Sequence, residues 1–188
     1  MALANPFEWL SPKAQKRAFV LLLLLALIVQ LAWSALDAPL KNEVAPMGML
    51  SFEVAGTLAK AQSIIASWNQ EAQLSAAANL GLDNLFLFLY GGTISLGCVL
   101  VLKVLSKWRR FAAVGLLLAW AQIPALLFDA VENYALLRTL LGAQASWLPA
   151  LAWWSAMPKF ILYAAGMIYA LIGAVLIVGR KIFRPSLN

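Results

Sequence analysis

Four long apolar stretches divide the chain, at residues 18–36, 82–105, 111–134 and 160–178. Each holds about 20 residues, which at about 1.5 Å rise per residue crosses a hydrocarbon core about 30 Å thick. The two-residue alternation of a barrel strand is absent, and a helix satisfies its own backbone in lipid. The pattern predicts an all-α membrane protein: a four-transmembrane-helix bundle forming a single membrane domain over residues 1–188. The first stretch is read as a retained span. Trp33 breaks the small-x-small pattern a cleavage site after Ala35 would need.

Between residues 37 and 81 the pattern changes. Leu58, Ala61, Ile65 and Trp68 recur at helical spacing, with Lys60, Gln62 and Ser63 on the other face. Thr57 stands at an N-cap position, and Asn69 before Gln70 and Glu71 caps a second helix leading into span two. The expectation is amphipathic helices in the long first external loop. They either lie on the membrane face or roof the bundle, the roof being favoured. At the N-terminus Ser11-Pro12 marks a helix start, with Phe7 and Trp9 as interfacial anchors. Trp147, Trp153 and Trp154 anchor the opposite interface. Pro149 and Pro158 bracket that stretch, which is either a short interfacial helix or the first turns of a long span four.

Basic residues set the expected orientation. Lys13, Lys16 and Arg17, then Lys103, Lys107, Arg109 and Arg110, then Arg180, Lys181 and Arg184 place ten of the 14 Lys and Arg on one side. By the positive-inside bias that side is cytoplasmic and holds both termini. Of the eight acidic residues only Glu8 falls there. The basic residues are dispersed at span ends, where they face anionic lipid; membrane lipids are the expected partners and nucleic acid is not.

Composition narrows the chemistry. Apolar residues make up 63% of the chain and charged residues 12%, against about 25% charged in soluble domains. There is no histidine, which excludes histidine-ligated haem and the HExxH metalloproteases. The single cysteine, Cys98, lies in an apolar run and reads as a packing residue; it excludes a CxxC thiol oxidase. No cofactor, metal ligand set or catalytic residue is expected.

Ionisable groups at membrane depth are costly and therefore worth attention. Asp83 and Asn84 open span two, and Lys159 opens span four. Asp129, Glu132 and Asn133 share one face of span three, with Gln122 two turns earlier, and Asp37 closes span one. The candidate polar layer is Asp83, Asn84, Asp129, Glu132, Asn133 and Lys159. Three carboxyls against one ammonium leave it at −2 if all are ionised. The expected pairing is Lys159 with Asp129 or Asp83. Pro124 and Gly91-Gly92 allow bends beside this layer, and either a structural ion pair or an outward-facing pocket results. In span four Gly166, Ala170 and Gly173 form a small-residue stripe for close helix packing.

Three runs, Phe52-Glu53-Val54-Ala55-Gly56-Thr57, Leu82-Asp83-Asn84-Leu85-Phe86-Leu87 and Asp129-Ala130-Val131-Glu132-Asn133, resemble an uncharacterised family of small bacterial four-span integral membrane proteins. The resemblance implies a fold class and a bacterial inner (plasma) or other energy-transducing membrane; it implies no activity. Three functional readings follow. The first is a non-enzymatic accessory or scaffold subunit with other membrane subunits as partners. The second is a binding or transport protein whose outer polar pocket takes a lipid, a cation or a hydrophobic small molecule. The third, and weakest, is a carboxylate-based membrane enzyme on lipid substrates. The oligomeric state is not legible.

Overall fold

The computed structural model describes residues 4–182, with side chains as far as Gly179; Arg184 and the side chains of Arg180 and Lys181, part of the basic tail read above, lie outside the described residues. The order is α1 (Pro12–Asp37), a 3₁₀ turn (Ala38–Leu40), α2 (Met49–Glu53), α3 (Leu58–Ser67), α4 (Gln70–Val104), α5 (Arg109–Leu140) and α6 (Trp147–Ile182). Helices α1, α4, α5 and α6 are long and apolar enough to cross a membrane. Their outer faces carry large apolar side chains in the open, such as Leu31, Leu117, Ile161 and Val175. Water does not tolerate so much exposed apolar surface, and lipid does. The fold is that of a multi-pass helical membrane protein.

Local chemistry explains where the helices begin. Ser11 Oγ accepts from Ala14 N with Pro12 at the first helical position of α1. Thr57 Oγ1 accepts from Lys60 N at the start of α3, and Asn69 Oδ1 from Ala72 N at the start of α4. Each side-chain oxygen satisfies a backbone donor that has no partner within its helix. The 35 residues of α4 extend about 52 Å, well beyond the hydrocarbon thickness. Its first turns therefore project past the apolar run that marks the span. The stretch from Trp147 to Lys159 is the opening of α6, with Pro158 inside the continuous helix.

α4 is central and packs on α1, α5 and α6, while α5 and α6 pack on each other. Missing side chains permit the closest approaches. The Tyr169 ring occupies the space a Cβ on Gly115 would take, and a Cβ on Gly166 would lie 2.6 Å from Ile94. Val101 fills the equivalent space at Gly173. The small-residue stripe of α6 thus seats on α4 within the chain.

The turn, α2 and α3 form a cap over one end of the bundle. Phe52, Ile64 and Trp68 are buried against Ala72, Ala76 and Leu80 of α4, Leu136 of α5 and Leu148 of α6. Trp68 donates Nε1–H to Leu40 O at 2.8 Å and meets Phe52 edge-on with centroids 5.6 Å apart. Asp37, buried at the end of α1, accepts from Met49 N at 2.7 Å and pairs with Lys41 at 3.1 Å. It thereby starts α2 from a distance of twelve residues in sequence. Gly48 makes this possible: its φ is 59°, and a Cβ there would run into the Asp37 carboxylate. At the other end Gln15 is buried, donates to Phe7 O and Leu10 O, and accepts from Lys103 Nζ at 2.7 Å.

Candidate binding pocket beneath the cap

Asp129, Glu132 and Asn133 project from one face of α5 and are all buried. Lys159 of α6 reaches between them. Its Nζ lies 3.1 Å from Asp129 Oδ1 and 2.7 Å from Glu132 Oε2. Of the two partners expected for Lys159, Asp129 is the one it meets. Asp83 of α4 instead accepts from Asn133 Nδ2 at 2.8 Å. The second oxygen of Asp129 accepts from the Tyr90 hydroxyl, and Tyr163 donates to the same atom at 3.4 Å. The two phenol rings stand edge to face with centroids 4.5 Å apart.

Not every residue of the candidate layer joins. Asn84 is exposed and donates to Leu80 O of its own helix at 2.8 Å. One residue step turns a helix by about 100°, so Asp83 and Asn84 cannot both face the cluster. Gln122 is buried but spends its amide on Leu118 O and Leu162 O. Asp37 serves the cap, as described above.

Three members carry no signal in the spans' polar pattern: Tyr90, Tyr163 and Glu53. The two tyrosines sit in apolar runs and read as span residues. Tyr163 lies one turn after Lys159, which is the one spacing that could have pointed to it. Glu53 ends α2, and the cap delivers it to the cluster from above. Its carboxyl stands against that of Glu132. Two carboxyls hold such a contact only when one carries a proton. Without that proton, Glu132 Oε1 is a buried oxygen with no hydrogen-bond donor. Burial pushes the Glu53 carboxyl above its ordinary range; Lys159 opposes this and Asp129 adds to it.

The cluster borders a pocket of about 360 Å³. Glu53, Asp83 and Lys159 supply its polar side, and Trp33, Phe86, Phe160 and Met167 supply apolar walls. Around it stand four carboxyls (Glu53, Asp83, Asp129 and Glu132) and one ammonium. Lys159 is already committed to Asp129 and Glu132. Lys159 acts on Glu53 as well, so among the described residues Asp83, held by the Asn133 amide, is the pocket carboxyl without an ion pair or a proton-sharing carboxyl. Among the described residues no group of three or more His, Cys, Asp or Glu is arranged to hold a metal ion. Compared with known proteins, the chain matches no family model, no curated sequence and no solved structure.

Proposed function

We propose that this multi-pass membrane protein binds a membrane-soluble small molecule in the pocket beneath the cap. One observation carries the reading: Asp83, with no ion pair among the described residues, lines with Glu53 and Lys159 an aromatic-walled pocket of about 360 Å³. Sites for small molecules combine an apolar wall with a few placed polar groups. The enzyme reading is weaker, because Asp129 and Glu132, its acid or base candidates, are held by Lys159.

The distribution of Lys and Arg supports an orientation with the cap outside and both termini in the cytoplasm. Reporter fusions at Ser75 and Ser106 test it and are expected on opposite sides. The resemblance of three sequence runs supports a bacterial inner (plasma) or other energy-transducing membrane.

Binding is tested by mass spectrometry of an organic extract of protein purified in mild detergent. The expected result is one small molecule per chain, depleted in Asp83→Asn and in Phe86→Ala. A folded wild type that carries only bulk lipid, in the same amount as both variants, would remove the reading.

A second reading, the accessory subunit, draws on α1. Only 6% of its most apolar window is buried, so most of its surface is open to lipid or to another subunit. A stoichiometric partner in the same mild-detergent preparation supports it.

A further inference from the structure

The pocket does not end at the aromatic wall. A second hollow of about 390 Å³ shares Gln30, Phe86, Tyr90, Ile94 and Met167 with it. Its other walls are apolar apart from Thr93, and include Leu23, Leu27 and Leu171. A third hollow of about 300 Å³ shares Phe19 and Ala170 with the second and ends beside Lys16. The three lie in series along one crevice. Its floor is α4, its sides are α1 and α6, and α1 packs mainly on α4 rather than on α6. At the floor the missing side chain of Gly97 lets Ala170 of α6 and Phe19 of α1 approach α4 closely. From Trp33 to Lys16 along α1 the crevice runs about 25 Å, close to the hydrocarbon thickness of about 30 Å.

This shape has a polar head end and a long apolar body, since the hollows follow one another rather than lying side by side. The head end is defined by charge. Asp83 faces it with only the Asn133 amide as partner among the described residues, Glu53 and Glu132 share a proton, and the one ammonium serves Asp129, Glu132 and Glu53, so the head end keeps an excess of negative charge. A phosphate or carboxylate head would meet like charge in a poorly hydrated place. A protonated amine would meet the Asp83 carboxyl between pocket walls that include the rings of Trp33 and Phe86.

We infer that the ligand is a single-chain amphiphile with a protonated amine head, the head beside Asp83 and Glu53 and the tail in the crevice between α1 and α6. This rests on the pocket reading above and names its substrate class.

The test uses the full-length protein in mild detergent, titrated with hexadecylamine, hexadecanol or palmitate and read by native mass spectrometry. Hexadecylamine is expected to bind one per chain, at least about tenfold more tightly than the other two. Asp83→Asn is expected to erase that preference while leaving hexadecanol unchanged. Met167→Trp and Leu171→Trp, both at partly exposed crevice positions, are expected to weaken the amine and the alcohol alike. Equal affinity for all three probes, or a preference for palmitate, would overturn the head assignment. Undiminished binding by both tryptophan variants would overturn the crevice assignment. If the co-purifying molecule is lost in Asp83→Asn yet hexadecylamine does not displace it from wild type, the amine inference falls while the pocket reading stands. If neither effect is seen, both fall.

Discussion

Replacing Lys159 by methionine removes the one ammonium from a cluster of four carboxyls while nearly preserving side-chain volume. In the native protein its Nζ lies 3.1 Å from Asp129 and 2.7 Å from Glu132, both wholly buried. Removing one partner of a buried pair leaves uncompensated charge, which costs about 3–5 kcal/mol. A carboxyl has an escape: it takes up a proton. At pH 7 protonating an ordinary carboxyl of reference pKa about 4.3 costs about 2.7 units at 1.36 kcal/mol each, or about 4 kcal/mol. At pH 5 the same step costs about 1 kcal/mol. Lys159→Met is therefore expected to lose about 3–4 kcal/mol of unfolding free energy at pH 7 and about 1 kcal/mol at pH 5. The assay is equilibrium unfolding in mixed detergent micelles at the two pH values. Combining Lys159→Met with Asp129→Asn and Glu132→Gln removes the stranded charges and should restore stability to within about 1 kcal/mol of wild type. A loss below about 1 kcal/mol that is the same at both pH values would refute the reasoning, because it would mean that water, not Lys159, compensates the carboxyls.

Glu53 gives a second pH signature. Its carboxyl is held above the ordinary range, so the folded cap binds the proton more tightly than the unfolded chain does, and the stability this contributes is present at low pH and lost as pH rises past the ordinary carboxylate range. The groups facing it are Glu132, Asp129, Asp83, Asp37 and Lys159. Hydrogen exchange in α2 and α3, corrected for intrinsic rates, should therefore speed up with pH in wild type and lose that dependence in Glu53→Gln; equal dependence in both would contradict it. Asp37→Ala removes the acceptor for Met49 N and should lower stability by about 1–2 kcal/mol, with Lys41 adding little because it is exposed. Gly115→Ala drives a methyl into Tyr169, whose ring stacks on Phe111 with centroids 4.5 Å apart. It should cost about 1–3 kcal/mol in thermal or detergent unfolding, and an unchanged midpoint would show that α5 and α6 separate freely.

The long helices and several caps were legible in the sequence, because apolar length and a side-chain acceptor before a helix are local signals. Ser11, Thr57 and Asn69 cap the helices they precede. That Lys159 meets Asp129 or Asp83 was legible too, since a lone buried ammonium must find a carboxylate; which of the two, and the closer contact to Glu132, were not. Helix ends were less so. Hydropathy marks the part of α4 that lipid can cover, whereas Ala72 and Ala76 are buried by the cap, a tertiary contact with no trace in a hydropathy window. Glu53 was hidden for the same reason: its place in the cluster depends on how α2 docks, and that depends on Asp37 reaching back to Met49. Tyr90 and Tyr163 were hidden because tyrosine is apolar enough to pass as a span residue until its hydroxyl has a partner. Asn84 was misplaced by adjacency to Asp83, where helical rotation separates neighbours that a sequence sets side by side.

The central claim is that the crevice under the cap holds a ligand of its own, distinct from bulk lipid. A photo-crosslinking amino acid placed at Met167, which borders both the polar pocket and the first apolar hollow, reports on this in native membranes. The same group at Leu117, exposed on the outer face of α5, reports bulk lipid. The account predicts one dominant adduct at position 167, absent at 117 and suppressed by added hexadecylamine. The same mixture of membrane lipids at both positions, unaffected by hexadecylamine, would contradict it.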